Sequence, residues 1–341
     1  MPNKIRIAII AGGFSNERDI SLMTAAQIAK NLPPEKYDIK VIEIAPDKTW
    51  LLRNDLKEIS NETASHQLII ANQGITPAAL SEKIDVAFLA LHGQFGEDGR
   101  IQAMLDYWNV PYTGSGVLAS ALGMNKLKCL EIVHNYSIKI PRFLTLVKKP
   151  EDTDELNQLI LESFGYPAVV KPNESGSSIG ISIVKQPRDL AKALAVAFQA
   201  DSTVIIEEFI KGRELACAVL GNTGVTELET FPPIEIIVQG AEFFDYQAKY
   251  FSKETQEICP AHISPELTAA VQEQAKKIHA VLGCHGLSRS DFILRNNELY
   301  FLEINTIPGQ TEASLAPKAA QAAGLSFAKF LEKQIELALL K

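Results

Sequence analysis

The segment DFILRNNELYFLEIN, residues 291–305, holds the side chains best suited to bind a metal-bound phosphate. It reads as two strands joined by a turn near Asn296–Glu298. Side chains alternate along a strand, so Glu303 and Asn305 share one face. A two-residue turn at Asn296-Asn297 puts Asp291 on the face opposite Glu303. A three-residue loop, Asn296–Glu298, sets Asp291 directly across from Glu303. That register also lines Phe292, Leu294, Tyr300, Leu302 and Ile304 on the other face. The cleaner apolar face favours the three-residue loop, because a buried face specifies register. Asp291, Glu303 and Asn305 then converge as hard oxygen donors, a set that suits Mg²⁺ sharing its shell with phosphate oxygens.

Three other stretches could serve an anionic ligand. In KPNESGSSIG, residues 171–180, a strand ends in Lys171 and a small, glycine-containing loop follows. Backbone N–H groups and the serine hydroxyls of this loop can cover phosphates, with Lys171 as a point charge. The spacing matches neither a Walker A loop nor G-x-G-x-x-G. In VIIEEFI, residues 204–210, an apolar strand ends in acids. It could hold an adenine by backbone hydrogen bonds, with Glu207 or Glu214 accepting from the amino group or ribose. LHGQFGEDG, residues 91–99, sits where a parallel strand ends, the edge at which open α/β sheets bind ligands. Glu17, after the first strand, falls at the same edge.

The elements that must position these groups follow from periodicity. Residues 5–11 are almost continuously apolar, as in a strand buried on both faces. A helix runs from about residue 21 to Pro33-Pro34, and strands are expected at 39–44 and 84–91. A helix with Ile101, Met104, Leu105 and Trp108 on one face follows Gly99. This alternation predicts an α/β first layer. Beyond residue 115 a single helix is expected over 118–134, then strands at 167–171, 179–184 and 204–209 around a helix at 190–199. Residues 212–260 are strand-rich. A helix at 265–282, the 291–305 hairpin and a helical pattern over 318–340 close the chain. The later part therefore reads as α+β.

Bulk properties narrow the function classes. A chain of 341 residues can hold two or three domains. A net charge of −8 disfavours a nucleic-acid binder, which needs a basic face. The four cysteines, Cys129, Cys217, Cys259 and Cys284, form no C-x-x-C pair, which argues against zinc ribbons and disulfide frameworks. No apolar stretch approaches the about 20 residues of a membrane helix. The apolar start is better explained as a strand than as a signal segment, so cytoplasm is the expected location.

Taken together and in order, eight blocks resemble the D-alanine–D-alanine ligase family: GGFSNERDISL, LHGQFGEDG, PYTGSGVLASALGMNK, VVKPNESGSSIG, IIEEFIKGRE, DYQAKY, GLSRSDF and EINTIPGQTEASL. The likeness spans nearly the whole chain and fades only over 46–80. It implies an ATP-grasp fold with an N-terminal Rossmann-like α/β domain. The implied domains are 1–114, a central ATP-grasp subdomain 115–207, and a C-terminal subdomain 208–341 with a lid at about 240–258. The implied reaction joins two D-alanines through a D-alanyl phosphate, consuming ATP, for peptidoglycan precursors.

By the same resemblance, Asp291, Glu303 and Asn305 hold two Mg²⁺ (or Mn²⁺) ions. Arg289 neutralises the transferring phosphate and oxyanion, a task suited to its forked donors. Lys126, Lys171 and Ser178 meet the ATP phosphates. Glu207, Phe209, Ile210 and Glu214 hold adenine and ribose, helped by Phe243 and Lys249. Glu17 receives the first D-alanine's ammonium and is linked through Ser177 to Tyr250. His92 lies beside the substrate, Gly309 offers its N–H to the oxyanion, and Ser314 and Leu315 meet the second D-alanine. The Lys249-Tyr250 pair implies dipeptide over depsipeptide. A homodimer is also implied.

The chain departs from the family pattern at Asn125 (usually Asp), Gln247 (usually Glu), Ser290 (usually apolar) and Gln310 (usually Met). None of these removes a proposed metal ligand or phosphate cation. Competing readings are a ligase for other small D-amino acids or D-lactate, a non-catalytic nucleotide-binding relative, and a dinucleotide oxidoreductase. The last is supported only by an acid on the second strand.

Overall fold

A computed structural model describes residues 4–53, 73–176, 179–238 and 255–341. The first layer is a five-stranded sheet built on β1 (Ile5–Gly12). β1 runs parallel to β2 (Tyr37–Ile44) and β5 (Val86–Leu89), and β3 (Trp50–Arg53) and β4 (Gln73–Gly74) extend the edge antiparallel. β1 is apolar at almost every position because both its faces are covered. Ile7 and Ile9 pack against α1 (Arg18–Asn31), while Ala8 and Ile10 pack with Ile101 and Leu105 of α3 (Arg100–Tyr107). A short α2 (Pro77–Ser81) precedes β5. Glu43 on β2 is held by Arg18 and Arg53. That pairing consumes the acid on which the oxidoreductase reading rested.

The expected helix over 118–134 is two helices, α4 (Val117–Met124) and α5 (Lys126–Asn135). Asn125 breaks it. Its Oδ1 accepts from the Lys128 N–H at 3.0 Å, capping α5, and its Nδ2 donates to Glu174 at 2.6 Å. The amide thus replaces the charge pair of the family pattern with a cap and a neutral donor. Next comes an antiparallel sheet in the order β6 (Phe143–Leu146), β9 (Val204–Glu208), β7 (Ala168–Pro172), β8 (Ser182–Val184). α6 (Asp154–Ser163) and α7 (Leu190–Ala200) cover one face, on which Ala168, Val170 and Ile206 lie. Alternation sends Val169, Lys171 and Glu207 to the other face, which borders a cleft.

The third sheet is antiparallel, in the order β13 (Thr255–Ile258), β12 (Ile234–Val238), β10 (Arg213–Leu220), β14 (Leu287–Arg295), β15 (Glu298–Asn305), with β11 (Glu229–Thr230) on β10. α8 (Pro265–Val281) and α5 pack on one face. On the other lie α9 (Leu315–Ala322) and part of α10 (Phe327–Leu339). α10 bridges two cores. Phe330 and Leu337 join the third sheet's core, whereas Leu331, Ile335 and Ala338 join that of the first sheet. Among the described residues no helix is long and apolar enough to cross a membrane.

The 291–305 hairpin differs from the three-residue loop expected. Arg295 pairs with Glu298 around a two-residue turn, Asn296-Asn297, and both turn residues have positive φ (51° and 65°). Asparagine tolerates that region, and such a turn matches the strand twist. Asp291 nevertheless faces Glu303. Phe292 pairs with Phe301 and Asp291 with Glu303, so Leu302 is an extra residue, a β-bulge. The bulge changes which side chains enter the core. Leu299, Phe301 and Ile304 are buried there with Phe292 and Leu294. Leu302 instead lines the cleft, and Tyr300 accepts a hydrogen bond from Arg295 at 2.6 Å.

Ser290 is fully buried, and its Oγ has no hydrogen-bond partner among the described residues. A buried hydroxyl without a partner costs about 1–3 kcal/mol. Ser290→Ala is therefore expected to stabilise the protein by about 1 kcal/mol, read as a rise of about 2 °C in Tm by calorimetry. A lowered Tm would contradict this account.

Candidate active site

Two cavities meet at one carboxylate. The first, about 810 Å³, lies between the four-stranded and six-stranded sheets. The second, about 520 Å³, lies between the first layer and the segment that follows β15. Glu303 lines both. The bulge at Leu302 puts it there, because the bulge restores Glu303 to the face of Asp291.

Around Glu303 the charges are close and largely withdrawn from water. Asp291 is only 6% exposed and accepts two parallel bonds from Arg289, Nε to Oδ1 and Nη2 to Oδ2, both 2.8 Å. Asn305 Nδ2 lies 3.3 Å from Asp291 Oδ2. Lys126, buried at the start of α5, donates to the Ser175 carbonyl at 2.7 Å and lies 3.5 Å from Glu303. Among the described residues no group of three or more His, Cys, Asp or Glu could hold a metal unaided. Two carboxylates and an amide are nonetheless the donor set of Mg²⁺, which takes its remaining ligands from phosphate and water. The residues fit that ion.

The larger cavity has the character of a nucleotide pocket. Val169, Ile183, Phe209 and Leu302 give it apolar walls, Ile210 lies in its β9–β10 connection, and Glu214 lies at the start of β10. Lys171 Nζ and Glu207 Oε1 pair across neighbouring strands at 2.6 Å, both nearly buried. Their mutual attraction offsets part of the cost of burying each group at the cavity wall.

In the smaller cavity, β1 delivers Glu17 to the start of α1, where the Glu17 N–H donates to Ser15 Oγ at 3.2 Å. Its carboxylate lies against Gly93 and Gly176, and a Cβ at Gly176 would come 2.8 Å from Glu17 Oε2. His92 Nδ1 faces the Ile307 carbonyl at 3.2 Å, and Nε2 faces Thr24 Oγ1 at 3.2 Å. A carbonyl only accepts, so Nδ1 carries the proton and Nε2 accepts from threonine. Burial, the largest influence, lowers the pKa of His92 and keeps the ring neutral; the Glu17 charge opposes this.

Glu97 completes this grip on the segment that follows β15. Its Oε1 accepts from the Ile307 N–H at 3.2 Å and its Oε2 from the Gly93 N–H at 2.7 Å. Burial first, and the Glu17 charge second, push its pKa up to about 8. Both backbone groups of Ile307 are thus held by side chains of the first layer. The turn that follows is Pro308-Gly309. Thr311 N–H donates to Ser314 Oγ at 3.1 Å, and Ser314 stands at the N-terminus of α9, beside Leu315.

Every described residue predicted for the site lines one of the two cavities. Lys171, Glu207, Phe209, Ile210, Glu214 and Asp291 border the first. Glu17, His92, Lys126, Arg289, Asn305, Gly309, Ser314 and Leu315 border the second. Ser177, Ser178, Phe243, Lys249, Tyr250 and most of the expected 240–258 lid lie outside the described residues. Glu97 had no predicted role. It sits inside LHGQFGEDG, but nothing local shows that it reaches a backbone group 210 residues away.

The chain is similar to known proteins throughout its length. Residues 6–115 match the family model "D-ala D-ala ligase N-terminus", and residues 132–336 match "D-ala D-ala ligase C-terminus". It is 40% identical to a D-alanine–D-alanine ligase of Syntrophobacter fumaroxidans, covering 98% of each chain. Among solved structures it superposes on a D-Ala:D-Ser ligase from Enterococcus faecalis with TM-score 0.83, at 33% identity over 98% of this chain and 100% of that one. It also superposes on a D-alanine–D-alanine ligase from Bacillus anthracis complexed with ATP, with TM-score 0.76, at 32% identity over 98% of this chain and 97% of that one. The three sheets, the charged junction of two cavities and these likenesses make the chain a member of the D-alanine–D-alanine ligase family, with the ATP-grasp fold.

Proposed function

We propose that this protein joins two D-alanines into D-alanyl-D-alanine, using ATP to activate the first carboxylate as an acyl phosphate. The observation that carries the reading is Glu303 at the wall common to both cavities, flanked by Asp291 and Arg289. A phosphoryl group leaving a nucleotide in the larger cavity meets there a carboxylate held in the smaller one.

A carboxylate is a poor electrophile until one oxygen becomes a phosphate leaving group. Bringing two anions together requires cations on the transferring oxygens. Lys126 and Lys171 supply positive charge on the nucleotide side. Arg289 supplies it at the junction, where it can leave Asp291 for a phosphate oxygen. Mg²⁺, held by Asp291, Glu303 and Asn305, would neutralise the phosphate charge. Glu17 takes the first D-alanine's ammonium, which orients its carboxylate toward Glu303. Ser314, at a helix N-terminus, takes the carboxylate of the second D-alanine. Its amine then attacks the acyl carbon, the oxyanion is received by Arg289 and the Gly309 N–H, and collapse releases phosphate. Family precedent supports a cytoplasmic homodimer serving peptidoglycan precursor synthesis.

The test is phosphate release from ATP and Mg²⁺ with D-alanine and then L-alanine, followed by mass analysis of products. Release with D-alanine alone and a dialanine product are expected. Folded, ATP-binding protein that shows no D-alanine-dependent release would overturn the reading. D-serine or D-lactate consumed in preference to D-alanine as acceptor would replace the substrate.

Gly93 offers a sharper check on Glu17. Gly93 has φ +67°, and a Cβ there would collide with the Glu17 carboxylate. Gly93→Ala should displace Glu17 and strain the backbone. The KM for the first D-alanine should rise about tenfold, with a smaller change in kcat. An unchanged KM would remove Glu17 from the ammonium site.

A further inference from the structure

The Pro308-Gly309 turn is held upstream by His92 and Glu97 on Ile307 and downstream by Ser314 on Thr311. Between these anchors the chain has another buried contact. Gln310, only 2% exposed, accepts through Oε1 from Gln334 Nε2 at 2.8 Å, and Gln334 is 1% exposed. Gln334 Nε2 also lies 3.4 Å from the Phe330 carbonyl one turn back in α10. Gln334 belongs to the helix that joins the cores of the first and third sheets.

From this geometry we infer that Gln334 is a positioning residue for the reaction, acting through Gln310 to aim the Gly309 N–H at the reacting carboxyl. The inference rests on the function proposed above. Its physical basis is the cost of an unmet buried amide. Gln310 is almost wholly buried, so its side chain is committed to the direction in which Gln334 donates. The Gln310 backbone follows its side chain, and Gly309, with no side chain to anchor it, follows Gln310. An oxyanion donor works only when it is fixed before charge develops, so a loosened turn costs rate and not substrate binding. Removing Gln334 takes the donor from Gln310 Oε1, and removing Gln310 leaves Gln334 Nε2 only its longer contact with the Phe330 carbonyl, whereas replacing both with apolar groups of similar shape leaves no amide unmet.

The test is a double-mutant cycle on the full-length enzyme, with Gln334→Leu, Gln310→Met and the two combined, reading kcat, both KM values and Tm. Each single change is expected to lower kcat about tenfold with KM for ATP and D-alanine unchanged. The combined variant is expected to recover to within about threefold of wild type. A merely structural pair would lower Tm and leave kcat alone, and that result overturns the inference. So does a combined variant as slow as the slower single. If Gln334→Leu does not fold, Gln310→Met against the combined variant decides on the same criterion. Wild-type protein without D-alanine-dependent turnover would instead overturn the proposed function, and this inference with it.

Discussion

Arg289→Ala is expected to lower kcat for D-alanine-dependent ATP turnover by about 10³-fold, with much smaller changes in KM. The guanidinium sits at the junction of the two cavities and is held in a fork by Asp291 at 2.8 Å on both arms. In the proposed reaction it meets charge that exists only while the phosphoryl group moves and while the tetrahedral oxyanion lasts. Interactions realised only then appear in kcat. A cation aimed at a transferring phosphoryl group is worth about 10³–10⁵ in rate. Arg289→Lys keeps the charge but loses the planar fork, so it should recover only part of the loss. The substitution to alanine also leaves the Asp291 carboxylate buried without its partner, so Tm must be measured alongside. A folded Arg289→Ala enzyme with near wild-type kcat would show that another cation performs this task.

Glu303→Gln should lower kcat about 10²-fold or more and raise the Mg²⁺ concentration needed for half-maximal rate by at least about tenfold. The amide keeps the volume and the apolar neighbours, so the fold should persist. It removes the charge that, among the described residues, alone borders both cavities, and that faces Asp291 across the β14–β15 pair. It also deprives Lys126 of its carboxylate at 3.5 Å. Steady-state rates across a Mg²⁺ titration separate these effects. A Lys126 defect would raise KM for ATP at saturating metal, whereas a metal defect shifts the Mg²⁺ midpoint. An unaltered Mg²⁺ dependence would exclude Glu303 from the metal site.

The departures from the family pattern differ in consequence once their neighbours are known. Asn125 serves as a helix cap and as a donor to Glu174. Gln310 has an amide partner on α10. Ser290 has none among the described residues and so carries a predicted stability cost, while Gln247 lies outside the described residues. Each is a polar side chain of unremarkable type in the sequence. Only packing tells a satisfied amide from a stranded hydroxyl.

Local chemistry determined much of this protein without reference to the rest of the chain. Apolar runs and their periods placed β1, β2, α1, α3 and the hairpin strands, because burial on one or both faces leaves a pattern a few residues long. The ordered blocks around Lys171, Glu207, Arg289, Asp291 and Glu303 named the chemistry through their joint resemblance to one ligase family, and phosphoryl transfer is consistent with those residue types. The hairpin marks the boundary of that reasoning. Alternation alone required a three-residue loop to bring Asp291 across from Glu303. The chain reached the same pairing with a two-residue turn and a bulge at Leu302. Turn and bulge each shift the side-chain phase by one residue, so a sequence pattern registers only their sum. Tertiary structure alone decided the contacts between distant segments: Glu97 and His92 on Ile307, Gln334 on Gln310, and α10 shared between two cores. Those choices depend on how separate sheets pack, a long-range arrangement that no local period encodes.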